Sequence, residues 1–320
     1  MPLPEKALIE EVRRFARSRS TGNVRLGIGD DCAIIGIPPR HEALVTTDFS
    51  LEGVHFRRQW HPPESVGHRC LARGLSDIAA MGGTPIAAFL SLALPARLPQ
   101  SWVDRFIKGL LSLAKRYSVA LAGGDTAQSP AGVLADIIVM GSVPKGTAVI
   151  RSGARPGNAI YVTGALGGSA ATLNLLRTKR KVVPSETDRH FYPRPRLEVG
   201  RYLREKHIAT AMIDLSDGLS TDLAHICDES SVGAEVEMPR LPLASAGKPP
   251  TSVSVDLALH GGEDYELLFT APAKTRVPSV ISGVPITRIG TITKVRGLFT
   301  RDASRRTPLL VRGWEHFRRT

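Results

Sequence analysis

ESVGHRCLARGLSDIAAMGGTPIAAFLSLAL, residues 64 to 94, carries in one stretch the pattern from which the rest of the chain is read. At about 100° per residue, Val66, Cys70, Asp77 and Met81 share one line of a helix over 64–81, away from Glu64 and His68. Gly82-Gly83-Thr84-Pro85 stops that helix, and 86–94 reads as a buried strand. The uncharged run 78–96 is therefore helix end, turn and strand, not a membrane span. Asp77 is the exception on its apolar line. A half-buried carboxylate must be paired, protonated or bound to a cation. An ion pair with Arg73, one turn earlier, is the plain alternative to a metal.

Outward from this stretch the same alternation of apolar runs and helical spacings continues, as in α/β and α+β chains. Before the boundary, helices are predicted over 5–17 and 101–117, the latter with Ser101 as N-cap, and strands over 43–47, 119–122 and 133–143. Gly, Pro, Lys and Arg break the pattern at 146–157, which divides the chain into domains 1–148 and 149–320. The second half predicts a strand at 159–163, a helix from 169, helices over 197–206, 219–227 and 273–281, and strands over 209–213, 233–238, 266–270 and 286–293. Residues 177–188 read as a polar, basic loop.

The 320 residues are 42% hydrophobic and 22% charged, which sets aside disordered and fibrous classes. Cys32, Cys70 and Cys227 form no CxxC pair, which argues against a disulfide framework or a structural zinc site and makes a reducing cytoplasm the default. The opening MPLPEKALIEEVRRF interleaves acids and bases, so no secretory signal is expected. A net charge of +12 points to an anionic partner without choosing among nucleic acid, acidic membrane and phosphorylated small molecules.

The acids are placed unusually for a basic chain. Asp30, Asp31, Asp48, Asp77, Asp125, Asp214 and Asp217 stand at the ends of apolar runs or beside glycine. In GIGDDCAII (27–35) two carboxylates follow two glycines, equally compatible with a solvated turn. LAGGDT (121–126) and AMIDLSDG (211–218) repeat a strand that ends in aspartate, the second with a helix to follow that Ser216 or Asp217 would cap. Two unit charges ~4 Å apart cost about 4 kcal/mol at an effective dielectric of ~20, so converging aspartates need divalent cations. Oxygen-only donors favour Mg²⁺, which commonly also binds a substrate phosphate. Lys145 and Arg151 are candidate phosphate clamps or ordinary solvated cations. GALGGSA (164–170) reads first as tight helix packing and second as an anion site at a helix N-terminus. There is no GxxxxGK[ST] and no kinase HRD or DFG set.

Eight segments in order, GIGDDCAII, TTDFSLEGVHF (46–56), LSDIAAMGGTP (75–85), LAGGDT, RSGARPGNAIYVTG (151–164), IDLSDGLSTDL (213–223), GGEDYELLFT (261–270) and GWEHF (313–317), together resemble the bacterial thiamine-monophosphate kinase family. The resemblance implies the two-lobed ATP-binding fold of the aminoimidazole-ribonucleotide-synthetase-like superfamily, with N-terminal domains paired in a homodimer. It implies ATP-dependent phosphorylation of thiamine monophosphate with several Mg²⁺ ions. Carried over by motif, Asp31, Thr46, Thr47, Asp48, Asp77, Asp125, Asp214 and Asp217 would be metal ligands. Tyr117, Gly124, Asp125, Arg151 and Ser216 would contact ATP, and His55, Glu263 and Trp314 the thiamine substrate. Asp48, Asp125 and Arg151 would carry the transfer itself. The rival readings are a neighbouring ATP-using enzyme of the superfamily (aminoimidazole-ribonucleotide synthetase, selenophosphate synthetase or a hydrogenase-maturation ATPase) and a basic nucleic-acid-binding protein. Aromatics at 5% and the lack of an RNA-binding motif speak against the last.

Overall fold

The computed structural model describes residues 1–16, 22–178, 182, 184, 189–247, 251–315 and 317. The basic residues expected at 179–181 and the arginines at 318–319 lie outside the described residues. The chain forms two compact units. One comprises Met1–Ile78, Gly83–Gly146 and Pro184–Pro193, the other Ala79–Gly82, Thr147–Val183 and Arg194–Thr320.

Unit 1 is built in the order α1 (Glu5–Ala16), β1 (Val24–Leu26), β2 (Ile34–Ile35), β3 (His41–Leu51), α2 (Pro63–Ala80), β4 (Thr84–Pro95), α3 (Gln100–Arg116), β5 (Ala120–Ser129) and β6 (Leu134–Pro144). Its sheet runs β3-β6-β4-β5, antiparallel except for the β4–β5 pair. The helix–turn–strand reading of 64–94 holds. Strand alternation decides the two faces of the sheet. Ala88, Leu90, Leu92 and Leu94 are buried along β4, as are Val66, Cys70 and Ile78 of α2, whereas Ile86 packs with Ala87, Val24 and Ala122. On the other side of edge strand β3, Val45 and Phe49 are 64% and 55% exposed. The predicted Ser101 cap is absent. The helix starts a residue earlier, with Pro99 at the N-cap and no side-chain cap, which puts Ser101 inside the first turn.

Unit 2 follows as β7 (Ala159–Thr163), α4 (Gly168–Arg177), α5 (Leu197–Glu205), β8 (Ala211–Asp214), α6 (Leu219–Ser230), β9 (Gly233–Glu237), β10 (Ser245–Ala246), β11 (Thr251–Ser252), α7 (Val255–His260), β12 (Leu267–Ala271), β13 (Val280–Ile281), β14 (Val284–Thr293), β15 (Gly297–Asp302) and β16 (Arg305–Pro308). Its main sheet runs β16-β15-β9-β14-β7-β12-β8, with β13 on β14. Leu219, Leu223 and Ile226 of α6 enter a core with Ile160, Val162, Ile213 and Leu268. The helix predicted over 273–281 does not form, because Pro272 and Pro278 frame a segment of turns that ends in β13. No helix among the described residues is long and apolar enough to cross a membrane.

Candidate functional site

In unit 1 the TTD motif is split by the strand's own alternation. Thr46 and Asp48 point to the α2 side, where the Thr46 hydroxyl donates to Asp77 Oδ2. Thr47 points the other way and donates to Asp136 Oδ1 at 2.7 Å. Asp77 is half-buried, as its place on the helix predicted. Arg73, one turn earlier, brings its Nε to 3.7 Å from Asp48 Oδ1, so a cation stands among these carboxylates.

On β5, Gly124 (φ +147°) packs against the Leu90 carbonyl so closely that any Cβ would collide with it. That conformation favours glycine. The next residue, Asp125, is exposed, and its Oδ1 accepts from the Thr126 amide at 2.8 Å. In register, Asp125 lies across from Ser91, and Ser91 across from Asp136, so a row of polar side chains crosses the sheet. Asp31 is also exposed, and its amide donates to Asp30 Oδ1 at 2.9 Å. His55 is half-buried, with Nδ1 accepting from the Leu51 amide at 3.0 Å, which leaves the ring proton on Nε2. Tyr117 is the C-cap of α3. It is not among the residues lining the nearby cavity of about 490 Å³ between Phe15, the outer face of α3 and the start of β5, which Lys108, Lys115 and Arg105 rim.

In unit 2 backbone hydrogen bonds draw three predicted motifs together. β8 ends at buried Asp214, and the turn after it receives two distant segments. The Glu263 amide donates to the Ser216 carbonyl at 2.8 Å, and the Trp314 amide to the Asp217 carbonyl at 3.0 Å. The Gly313 amide adds a bond to Thr221 Oγ1 at 3.1 Å. Trp314, half exposed, thus joins Asp217, Thr221, His225, Asp228 and Glu315 around a cavity of about 420 Å³, an aromatic wall among acids. His316 of the GWEHF motif lies outside the described residues.

The expected cap of α6 by Ser216 or Asp217 is corrected. Gly218 occupies the N-cap without a side-chain bond, and buried Asp222 takes the orphan amides of Asp217 and Gly218 at 3.2 and 3.0 Å. Burial, then the neighbouring charges of Asp214 and Asp217, push the Asp222 carboxyl well above the usual carboxylate range. Among the described residues, Asp217, Asp222 and His225 are the one trio of His, Cys, Asp or Glu whose ligand atoms all lie within 4.8 Å of one another. Asp222 and His225 escaped the sequence reading, although their i+5 and i+8 spacing from Asp217 across a helix start was visible; Asp136 was hidden in the apolar run of β6.

Arg151 is not gathered with this group. It is exposed, and its carbonyl accepts from Ser230 Oγ at 2.8 Å, at the opposite end of α6 from Asp217. A 12-residue helix is about 18 Å long. Lys145 is likewise exposed. GALGGSA is not an open anion site, since the buried Asp264 carboxylate already accepts from the Gly167 and Ser169 amides at 2.6 and 3.2 Å. Its first reading, close packing, stands, because Gly167 lies against the backbone of Leu257 and Ala258. The thiols of Cys70 and Cys227 are pushed up to about 12, chiefly by burial, and carry no nucleophilic chemistry at neutral pH.

Comparison with known proteins meets this geometry. Residues 29–143 match the family model of the AIR synthase related protein N-terminal domain, and 155–302 that of its C-terminal domain. Thiamine-monophosphate kinase of Escherichia coli K12 is 40% identical over 319 residues, which cover 95% of this chain and 96% of that protein. Among solved structures, thiamine-monophosphate kinase from Stenotrophomonas maltophilia K279a is 35% identical with a TM-score of 0.81, over 94% of this chain and 97% of that one. AaThiL complexed with AMPPCP and TMP is 30% identical with a TM-score of 0.76, over 99% of each chain. The motifs that meet at the β8–α6 turn and those on the unit 1 sheet thus fall within one alignment spanning nearly the whole length, and the chain belongs to the thiamine-monophosphate kinase family.

Proposed function

We propose that this protein transfers the γ-phosphoryl group of ATP to thiamine monophosphate, giving ADP and thiamine diphosphate, in thiamine diphosphate biosynthesis. The observation that carries the reading is the gathering of Ser216, Asp217, Glu263 and Trp314 at one turn, where motifs far apart in sequence share backbone hydrogen bonds.

The acceptor is itself a phosphate with a second pKa near ~6, largely dianionic at neutral pH, so no general base is required to make a nucleophile. The obstacle is repulsion between two anions. Asp31, Thr46, Thr47, Asp48, Asp77 and Asp125 of unit 1 offer oxygen alone, as do Asp214 and Asp217 of unit 2, and donors of that kind suit Mg²⁺. Held by such residues, Mg²⁺ would supply charge neutralisation for an in-line displacement between two phosphates. Asp48 and Asp77 would hold such charge on the α2 side of the sheet, and Asp125 on the opposite face, beside Ser91 and Asp136. Gly124 and Ser216 hold the nucleotide, and Arg151 is assigned to ATP away from the Asp217 end of α6. Tyr117 is assigned to the adenine. Glu263 and the Trp314 face suit the thiazolium cation, and His55 donates through Nε2. Transfer is direct, without a phosphorylated residue. The bare apolar side chains Val45 and Phe49 on β3 support a homodimer through this sheet face. A cytoplasmic setting fits the free cysteines.

The test is ATP turnover with Mg²⁺, with and without thiamine monophosphate, reading thiamine diphosphate as thiochrome fluorescence. Product should form in step with ADP only when all three are present. ADP release indifferent to thiamine monophosphate would reject the assignment, and isolation of a phosphorylated His or Asp of the protein from γ-labelled ATP would reject direct transfer.

A further inference from the structure

The segment Gly261–Glu266 contributes more than Glu263. Two of its residues, Glu263 (φ 65°) and Tyr265 (φ 50°), hold left-handed backbone that non-glycine residues rarely adopt. Such conformations persist where the surroundings over-determine them. Here the surroundings are explicit. The Glu263 and Tyr265 amides donate to the carbonyls of Ser216 and Leu215. Between them, buried Asp264 turns inward and accepts from the Gly167 and Ser169 amides at the start of α4. Gly167 is itself left-handed (φ 82°) at the N-cap, which aims its N–H at that carboxylate. Two residues on, fully buried Glu266 takes both Nε and Nη2 of Arg196, at 2.7 and 2.5 Å, and the Thr163 hydroxyl at 2.5 Å. Asp264 and Glu266 thus anchor the strand inward, and Glu263 is left half-buried at its outer end.

We propose that Asp264 is a positioning residue for the thiamine monophosphate side of the reaction: its carboxylate, locked on the N-terminus of α4, fixes the left-handed turn that presents Glu263. This rests on the reading of Glu263 as a substrate contact. It also gives the GALGGSA loop its role, which is to receive an internal anion instead of a ligand phosphate. A neutral amide at 264 keeps an oxygen acceptor but loses the charge-assisted bond to two amides, so the turn loosens while α6 and the Ser216 carbonyl stay in place.

The experiment compares Asp264→Asn, Glu263→Gln and the double variant, measuring KM for thiamine monophosphate and for ATP separately, with thermal melts alongside. Expected is a rise of about 10-fold in KM for thiamine monophosphate in each single variant, KM for ATP within about twofold, and a double variant well short of the ~100-fold product of independent effects. A purely structural role for Asp264 lowers the melting temperature and the active fraction and leaves both KM values alone. That result, an equal rise in both KM values, or a full product in the double variant overturns the proposal. Should Glu263→Gln alone leave KM for thiamine monophosphate unchanged, the substrate assignment of Glu263 fails, and Asp264 has nothing to position. Wild-type amide exchange gives a second readout that needs no variant. Thiamine monophosphate should slow exchange of residues 166–169 several-fold more than AMPPCP does, and equal protection by both ligands would count against Asp264.

Discussion

The acids of β3 and α2 and those around the β8–α6 turn are all held by ordered backbone, yet their charges are met differently. In unit 1 a cation is built in, since Arg73 lies against Asp48 one helical turn from Asp77. Around the β8–α6 turn burial first, and then the charges of Asp214 and Asp217, make Asp222 hold its proton more tightly. The first group is partly neutralised before any ligand arrives. The second adds carboxylate charge to the burial of Asp222, which a divalent cation would relieve if bound there. A phosphoryl-transfer enzyme gains from both, since a preformed site needs little reorganisation while a repulsive one binds metal in proportion to the strain removed.

The largest effect that would break this contrast is on turnover. Asp48→Asn should keep the fold, because neighbouring Ser50 and Leu44 remain in the core, and reduce kcat by about 10²–10³, the scale of one electrostatic contact in a transition state. Near-normal kcat with saturating Mg²⁺ would remove Asp48 from the metal set. Next is Arg73→Met. Its pair with Asp48 is neither exposed nor fully buried, so the metal-free protein should lose about 2 kcal/mol, between the ranges for surface and buried pairs. Urea unfolding with and without Mg²⁺ checks this, since added Mg²⁺ should recover more stability in the variant than in the parent. Equal Mg²⁺ effects would mean that the arginine does not stand in for metal charge.

Asp222→Asn probes the other side. A carboxyl whose folded pKa is raised contributes stability that is fully present below its unfolded value and is lost as pH rises through the folded value. Asparagine keeps an acceptor for the Asp217 and Gly218 amides without that loss. In chelator, the variant should therefore melt higher than the parent by a margin that widens as pH rises from the ordinary carboxylate range towards neutrality, and Mg²⁺ should narrow it. A pH-independent margin would show that neither burial nor the neighbouring acids hold the Asp222 proton in the folded protein.

How much of this was legible follows from the range of each interaction. The helix–turn–strand unit at 64–94 and the half-buried place of Asp77 follow from local periodicity, and both hold. So do the strand ends at Asp214 and the helix after it. Pairing was not legible. That Arg73 approaches Asp48 depends on a strand 25 residues away in sequence, which the periodicity of its own helix does not show. Thr46 and Thr47 are neighbours in sequence and opposites on the sheet, which strand alternation alone predicts once β3 is extended to His41–Leu51. The caps failed for a related reason, because Asp222 satisfies from inside the helix what Ser216 and Asp217 were expected to satisfy before it. The β15–β16 hairpin, rich in arginine and threonine, has no apolar alternation to show it.

The smallest effect concerns the thiols, which report on each unit separately. Cys70 belongs to α2 of unit 1 and Cys227 to α6 of unit 2, both buried and both pushed up to about 12, while Cys32 is exposed beside Asp31. At pH 8 an alkylating reagent should therefore modify Cys32 alone in the native protein, since a buried neutral thiol is neither reachable nor nucleophilic. In urea below the main transition, Cys70 and Cys227 become reactive only as their own unit opens, so peptide mapping after a short pulse ranks the two openings. If repulsion around the β8–α6 turn is what Mg²⁺ relieves, Mg²⁺ should slow the labelling of Cys227 several-fold and that of Cys70 less, because Arg73 already serves unit 1. Equal slowing at both cysteines would place the metal's stabilising effect on the chain as a whole and dissolve the distinction between the two acidic groups.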